Sequence, residues 1–277
     1  MIAIFLAALG ALFEEISNSL EKFAMTHKLE HPAVIGLLNS SWTVVYFLAI
    51  AFLYKGSFVL VKETIPWLCI LVVLCIAQTV LTLLAIQQAT RSTFGLLRTL
   101  TIPILALLDA LTGAAVSPLK FVAMGIMFVT MAWMEWSHTI ERKGAGLVIA
   151  TALNGAVTLA LFKYILTAGT SVTAAQIVIL LPGVLFLAIW SRRGKRPSLK
   201  GKVKLMAVQT AAYGAATLVE SYALLLAPAS IMTAALRSSA VLWSVISGNK
   251  IFHEQDFKKK IIGSGVILLA LALLVVG

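Results

Sequence analysis

The ionisable residues inside apolar stretches are the first candidates for chemistry in this sequence. Glu14, Glu15, Asn18, Glu21 and Lys22 all lie in the first such stretch. If that stretch is helical, they fall on one arc of about 120°. A charged side chain near the centre of a bilayer costs roughly 2.5–3.5 kcal/mol to insert, and such residues persist where they face a cavity, form pairs or function. We therefore expect this arc to face the protein interior.

Glu14 is the strongest single candidate because it lies near the middle of this first stretch. A carboxyl group buried in a membrane can bind and release a proton, which is the property that a proton-coupled carrier needs. We predict proton coupling by Glu14 and Glu15, and substrate contacts by Asn18 and Glu21. The structural alternative is that Lys22 neutralises Glu15 or Glu21, while Glu14 hydrogen-bonds to a neighbouring helix.

A second polar stripe follows helical spacing in the eighth apolar stretch. Its members are Gln209, Tyr213, Ala216, Thr217 and Glu220. Such a stripe must face the interior, and we predict that Gln209, Tyr213 and Glu220 contact a substrate. Glu220 has two equally supported roles, which are to bind a cationic or amino group or to neutralise an arginine. Asn154 and Thr158 form a matching face in the sixth stretch, without a carboxylate, and are also predicted to contact substrate.

Arg98 and Arg237 occupy matching places in the fourth and ninth apolar stretches. The guanidinium fork suits a carboxylate or a phosphate, so the two arginines could converge on an anionic substrate. Alternatively, each arginine could pair with a carboxylate of the first or eighth stretch and close one side of a pathway in turn. We predict a gating or anion-binding role for both.

Ten apolar stretches must position these residues. Apolar residues make up 60% of the 277-residue chain and charged residues only 12%, with a mean hydropathy of +0.99. A soluble domain has about a quarter charged residues, and a membrane-spanning helix needs about 20 apolar residues. Pro103 and Pro182 should kink the fourth and seventh helices. The predicted helices run over roughly 2–26, 32–54, 65–88, 92–113, 118–138, 144–166, 170–191, 203–226, 229–250 and 259–277.

The second half of the sequence repeats the first. The matching positions are Lys22 and Lys163, Arg98 and Arg237, and Lys120 and Lys260, at offsets of 141, 139 and 140. Each unit holds five helices, an odd number, so the second copy must enter the membrane from the opposite side. We therefore predict an all-α integral membrane protein whose ten transmembrane helices form a 5+5 inverted repeat. Its halves, 1–141 and 142–277, together form one transport domain.

The sequence around both arginines resembles the ten-helix, EamA-like carriers of the drug/metabolite transporter superfamily. The resemblance rests on the repeat and on Ser92-Thr93-Phe94-Gly95-Leu96-Leu97-Arg98 with Pro103, and Ala229-Ser230-Ile231 with Arg237, His253-Glu254 and Gly263. Such carriers often show a proline in helix four and a glutamate before the last helix of a repeat, which Pro103 and Glu254 fit. The first repeat has Gly113-Ala114-Ala115 in place of that glutamate. The resemblance covers essentially the whole chain and implies a carrier, whose relatives export amino acids, metabolites and drugs, or exchange sugar phosphates and nucleotide sugars.

We number the connections between successive predicted helices in chain order, so that odd-numbered connections lie on one side of the membrane and even-numbered ones on the other. Basic residues are strongly biased to the odd-numbered set. The even-numbered connections carry only Lys55, Lys62 and Lys120, whereas the odd-numbered ones carry most of the other basic residues, among them Arg91. The positive-inside rule predicts a multi-pass protein of the cell membrane, with cytoplasmic odd connections and both termini outside. The family that the sequence resembles usually has cytoplasmic termini. The net charge of +11 fits this bias and attraction to anionic lipid, so we predict no nucleic-acid partner.

The sequence contains no P-loop, dinucleotide fingerprint or nucleophile elbow. We predict no enzyme activity, no cofactor and no metal, with energy supplied by an ion or substrate gradient. The favoured function is proton-coupled export, by alternating access, of a small organic metabolite that is amino-acid-like or amphipathic. The alternative is electroneutral exchange of organic anions or phosphorylated metabolites through Arg98 and Arg237, and a minor alternative is a channel or membrane scaffold. One duplicated chain can form its own pathway, so a monomer is sufficient and a dimer is compatible.

Overall fold

The structure, a computed structural model, describes residues 2–111, 118–136, 140–192, 202–226 and 229–276. All regular elements within these ranges are helical. They are α1 (Ile2–Thr26), α2 (Pro32–Leu53), α3 (Ile65–Gln88), α4 (Arg91–Arg98), α5 (Thr101–Leu111), α6 (Pro118–Trp136), α7 (Ala145–Thr167), α8 (Val172–Ser191), α9 (Val203–Leu226), α10 (Ala229–Phe252) and α11 (Phe257–Val276), with one 3-10 turn at Lys62–Thr64. The all-α architecture predicted from the sequence is confirmed in these ranges.

The predicted fourth helix is divided into α4 and α5 because of Pro103. Proline has no backbone N–H, so the carbonyl of Thr99 cannot receive the hydrogen bond from four residues ahead that continues an α-helix. That carbonyl accepts instead from the N–H of Ile102 at 3.0 Å, in a tighter turn. Arg98 therefore stands at the C-terminal end of a short helix. By contrast, α8 continues through Pro182.

Polar side chains start the helices that follow short connections. His31 Nδ1 accepts from the N–H of Ala33 at 3.2 Å, and Ser171 Oγ accepts from the N–H of Ala174 at 3.2 Å. These bonds satisfy N–H groups that have no partner within the first turn of a helix. The starts of α2 and α8 are thereby fixed by local sequence.

The helices end at two opposite ends of the molecule. α1, α3, α8 and α10 finish at one end, where Lys202 Nζ lies 3.7 Å from Glu30 Oε1. We call this the basic end. α2, α7 and α9 finish at the far end, where the N–H of Ser171 donates to the carbonyl of Val59 at 2.9 Å. Within the described ranges, the lysines and arginines of the odd-numbered connections thus belong to one end of the fold.

α1 is the central helix and packs against α9 and α10. Ala7 and Ala11 are fully buried, and small side chains of this kind let helices approach closely. Around this centre, α3 packs against α7 and α8, α2 against α8 and α9, α4 against α10, and α6 against α11. The described residues form two clusters of buried apolar side chains. One cluster contains Ile35 and Leu83, and the other contains Phe47 and Leu68.

Polarity is reversed relative to a soluble protein. Glu21 and Arg91 are 2% and 1% exposed, whereas Phe52 and Val73 are 89% and 67% exposed. Five described segments are long and apolar enough to cross a membrane, namely Pro32–Leu53, Lys62–Gln88, Arg91–Leu108, Ala145–Thr167 and Val172–Ser191. α1 is less apolar because it carries three glutamates and a lysine. The chemistry of this fold is therefore enclosed by an apolar exterior.

Candidate functional site

Glu14 joins three helices through its carboxylate. Arg98 Nη1, on α4, donates to Glu14 Oε1, and Arg237 Nη1, on α10, donates to Glu14 Oε2 at 3.1 Å. The three side chains are 8–15% exposed. Hydrogen bonds between charged groups are stronger than neutral ones, and losing one partner leaves a buried charge unpaired. These three side chains therefore hold α1, α4 and α10 together.

Two glycines make room for this ion cluster. Gly95 lies one turn before Arg98, and a Cβ added there would overlap Ser244 Oγ and lie 2.6 Å from Ser244 Cβ. Gly10 lies one turn before Glu14, and a Cβ there would lie 2.9 Å from Glu220 Cγ. The absent side chains let α4 approach α10 and α1 approach α9.

Glu15 belongs to a separate buried ion pair. Arg91 donates to it from Nη2 at 2.6 Å and from Nε at 3.3 Å. Ser247 Oγ and Ser19 Oγ donate to the same carboxylate at 2.6 and 2.8 Å. The prediction that Arg91 lies in a connection between helices is wrong. Arg91 is the first residue of α4, and its side chain is directed inward to α1.

Lys22 does not neutralise a glutamate of α1. Its Nζ donates to the carbonyls of Gln87 and Ala89, at 3.0 and 2.8 Å. These carbonyls lie at the C-terminal end of α3, where a helix leaves unpaired acceptors and carries partial negative charge. The structural alternative in which Lys22 pairs with Glu15 or Glu21 is therefore not the arrangement found.

The main cavity has a volume of about 140 Å³ and lies between α1, α2, α3, α4 and α9. Its wall contains the carboxylates of Glu14, Glu21 and Glu220 and one guanidinium group, that of Arg98. The uncharged polar side chains in the wall are Asn18, Asn39, Ser40, Gln78, Thr79, Thr82, Tyr213 and Thr217. This wall is far more polar than the outer surface of the helices.

Two carboxyl groups of this wall have unsatisfied oxygens. Oε1 of Glu21 and Oε1 of Glu220 are both buried without a hydrogen-bond partner among the described residues. A buried polar group without a partner costs about 1–3 kcal/mol, and a charged one costs more. Both oxygens are therefore available to a hydrogen-bond donor that enters the cavity.

The cavity brings together six of the predicted site residues, which are Glu14, Asn18, Glu21, Arg98, Tyr213 and Glu220. Gln209 lies behind the wall, where its Nε2 donates to Asn39 Oδ1 at 2.8 Å. Asn154 Nδ2 donates to Gln78 Oε1 at 2.8 Å and so supports the wall from α7. Thr158 Oγ1 donates to the carbonyl of Gly155 at 2.9 Å, within its own helix.

Sequence reasoning missed the contribution of α2 and α3. Asn39 and Ser40 come from α2, and Gln78, Thr79 and Thr82 come from α3. The signal was present, because these are polar residues at helical spacing within otherwise apolar helices. Polar side chains within a membrane-spanning helix are expected to face the protein interior, which is the rule that identified the arc on α1.

A smaller cavity of about 30 Å³ lies nearer the far end. It is lined by Leu159, Glu220, Leu224, Met232, Thr233, Leu236 and Arg237. The main cavity is lined by the C-terminal halves of α1 and α3 and the N-terminal half of α2, so it lies nearer the basic end. Glu14, Arg98, Arg237 and Glu220, which we call the charged layer, stand between the two cavities.

Glu254 fixes the start of α4. Its carboxylate accepts from the backbone N–H groups of Arg91 and Ser92, at 2.6 and 3.3 Å, and from the Ser92 hydroxyl. Lys260 Nζ donates to the same carboxylate at 3.1 Å. A negative charge is favoured at a helix N-terminus. The helix that carries both Arg91 and Arg98 is thereby anchored to the α10–α11 connection.

Within the described ranges, no three His, Cys, Asp or Glu side chains lie close enough to hold a metal ion. The described side chains that line the main cavity present carboxylates, a guanidinium group, amides and hydroxyls. The sequence matches no protein-family model and no curated protein.

Proposed function

We propose that this chain is a multi-pass protein of the cell membrane whose apolar exterior faces lipid. Five described segments have the length and composition to cross a bilayer. Both arginines of α4 and Arg237 of α10 form ion pairs with glutamates of α1 in the interior. The positive-inside rule then puts the basic end in the cytoplasm and both termini outside.

The proposed architecture is the 5+5 inverted repeat, and matched contacts support it. Lys22 Nζ donates to carbonyls at the end of α3, and Lys163 Nζ donates to the carbonyl of Leu224 near the end of α9. Packing partners also exchange between the halves, since α1 packs against α9 and α10 while α7 packs against α3 and the α4–α5 pair. A pseudo-two-fold axis relating α1 to α7 and α3 to α9 would produce both patterns.

The function that the site supports best is a secondary carrier that exports a small organic metabolite in exchange for protons. The observation that carries this proposal is the Glu14 carboxylate shared between Arg98 and Arg237, one arginine from each half. Alternating access needs a site between two halves and a closure that opens to one side at a time. The main cavity supplies the first, and the charged layer supplies the second.

In the proposed cycle, proton binding at Glu14 competes with Arg98 and Arg237 for the same two oxygens. Ionised Glu14 holds α4 and α10 on α1, and the path between the cavities is closed. A proton on Glu14 removes the charge that both guanidinium groups bind, so α4 and α10 can separate from α1. Substrate binds only the form in which Glu14 is ionised, so its binding releases the proton and restores the ion pairs. Proton and substrate are thereby carried in opposite directions.

The charge of the cavity wall favours this function over organic-anion exchange. Arg98 and Arg237 already donate to Glu14, so an anionic substrate would have to displace that carboxylate. It would also approach Glu21 and Glu220, and like charges repel strongly where water is excluded. The two arginines are thus better suited to closing the pathway than to binding substrate.

Proton release on substrate addition tests the proposal. Detergent-solubilised protein in weak buffer is mixed with metabolite pools sorted by charge class, and the pH is recorded. We expect one class to release protons from the wild type and from Glu63→Gln, a control in an exposed turn at the far end. Glu14→Gln should release none.

A second variant separates loss of the proton site from loss of the fold. Glu14→Gln/Arg237→Gln removes one charge of each sign and keeps the net charge of the wild-type cluster. It should remain folded and also fail to release protons. Proton release equal to that of the wild type in a folded Glu14 variant would contradict the role given to Glu14.

A further inference from the structure

The charge balance of the main cavity selects a cation. Its wall holds three carboxylates and one guanidinium group, and that group is already bound to Glu14. The two remaining carboxylates, Glu21 and Glu220, form no ion pair or hydrogen bond within the described part of the chain. A positively charged ligand would supply the partner that each of them lacks.

The groups around Glu21 match an ammonium group in particular. Glu21 is 2% exposed, and Asn18 and Tyr213 share its cavity, with no side-chain hydrogen bond of their own to any described residue. An ammonium group has three N–H donors and no acceptor. The carboxylate of Glu21, Oδ1 of Asn18 and the hydroxyl oxygen of Tyr213 provide three acceptors.

We infer that the main cavity binds the protonated primary amino group of a small, singly charged organic amine, with Glu21, Asn18 and Tyr213 as its acceptors. This rests on the proposed carrier function and names its substrate class. Glu220, which lines the same cavity, adds a second negative charge to the wall. A cavity of about 140 Å³ resembles in volume one that holds benzene, so the ligand has roughly six non-hydrogen atoms.

The same wall disfavours a zwitterion of equal chain length. An α-amino acid brings a carboxylate, and the guanidinium group in the wall is engaged by Glu14. That carboxylate would remain without a cationic partner and would lie close to Glu21 or Glu220. We therefore expect a simple amine to bind more tightly than the corresponding amino acid.

A matched set of three ligands tests this inference. Pentylamine, pentanoate and norvaline have similar lengths and carry a positive charge, a negative charge and both. The thermal-unfolding midpoint of detergent-solubilised full-length protein is measured with each ligand in amine-free buffer, because a ligand that binds only the folded state raises it. We expect pentylamine to raise the midpoint most and pentanoate to leave it unchanged.

Variants identify the acceptors. Glu21→Gln removes a charge that has no protein partner, so it should fold normally and bind pentylamine at least about tenfold more weakly. Tyr213→Phe keeps the ring and should weaken binding by about threefold to tenfold. Glu63→Gln should bind as the wild type does. Unchanged pentylamine binding in Glu21→Gln, or a larger shift with pentanoate or norvaline, would overturn the inference.

A lipid headgroup could present the same primary ammonium group. The measurement is therefore repeated in micelles that contain phosphatidylethanolamine or phosphatidylcholine. We expect the pentylamine shift to be equal in both. If phosphatidylethanolamine alone raises the midpoint and abolishes the pentylamine shift, the site is for a lipid and the inference is overturned.

Failure of the amine-binding inference can be distinguished from failure of the carrier proposal. Binding of pentylamine without proton-coupled flux in liposomes would support the amine site and contradict the carrier. Proton-coupled flux of another class, without pentylamine binding, would support the carrier and contradict the amine site.

Discussion

Three glutamates on one face of α1 lie in three different electrostatic settings. Glu14 accepts from two guanidinium groups, Glu15 accepts from Arg91 and two hydroxyl groups, and Glu21 has no partner among the described residues. The setting of each carboxylate determines what it can do. In the proposed cycle, Glu15 keeps its partners, Glu14 exchanges its partners for a proton, and Glu21 accepts the ligand.

Isosteric replacement distinguishes these settings by stability. Glu15→Gln leaves Arg91 as an unpaired buried charge, and breaking a buried pair in this way costs about 3–5 kcal/mol. Glu21→Gln removes a charge that has no partner and should leave stability unchanged or increased. Thermal unfolding of both variants in the same detergent measures the difference. Equal midpoints for the two variants would contradict the assignment of Glu15 to an ion pair.

Much of the site can be predicted from the sequence because periodicity alone determines which residues share a helix face. The arc on α1 and the stripe on α9 supply Glu14, Glu21 and Glu220 in this way. The groups with which the charged residues pair cannot be predicted from periodicity. The contacts of Arg91 and Lys22 depend on how neighbouring helices pack. Helix periodicity carries no information on the packing between helices.

At the scale of elements, α4 is the helix that takes part in both buried ion pairs with α1. Its start is bound by Glu254 and its first residue, Arg91, by Glu15, while its last residue, Arg98, binds Glu14. The tight turn before Pro103 separates it from α5. A movement of this short helix would act on both buried ion pairs at once.

The close approach of α4 to α10 depends on Gly95. Gly95→Ala would place a Cβ 2.6 Å from Ser244 Cβ, so the two helices must move apart. We expect reduced thermal stability and reduced transport. Gly125→Ala, in α6, is the matched control because a Cβ there meets no atom within 4 Å. A Gly95→Ala protein as stable and active as Gly125→Ala would show that this contact is not required.

Helix bounds are predictable where polar segments interrupt apolar ones, since the interruption and the cap occur in the same local sequence. The starts of α2 at Pro32 and α3 at Ile65 match the expectation from such segments. The fourth helix was only expected to kink. Its division at Thr99 follows from the carbonyl that Pro103 leaves without its usual partner.

At the scale of the whole molecule, the basic end is held by ion pairs. Arg91 pairs with Glu15 within the first half and Lys260 with Glu254 within the second. The Glu254 carboxylate joins the halves because it also accepts from the backbone N–H groups of Arg91 and Ser92. At the far end, the described contacts between halves are of another kind, such as Thr64 Oγ1 to Thr170 Oγ1 at 2.7 Å. The contacts that join the halves therefore differ in kind between the two ends of the molecule.

Membrane orientation gives a direct test of the charge bias. In a Cys69→Ser/Cys75→Ser background, cysteines are introduced at Lys28 and at Lys55, which are exposed at the basic and far ends. A membrane-impermeant maleimide should label Lys55→Cys in intact cells and Lys28→Cys only after permeabilisation. The reverse pattern would give the orientation usual in the family that the sequence resembles.

The central claim is that protons and substrate move in opposite directions through the charged layer. Proteoliposomes with a trapped pH indicator are exposed to metabolite pools sorted by charge class, with protein-free liposomes measuring passive permeation. We predict saturable proton counterflow with one class for the wild type and none for Glu14→Gln/Arg237→Gln. Counterflow that is unchanged in this variant, or that rises without saturation, would contradict the account.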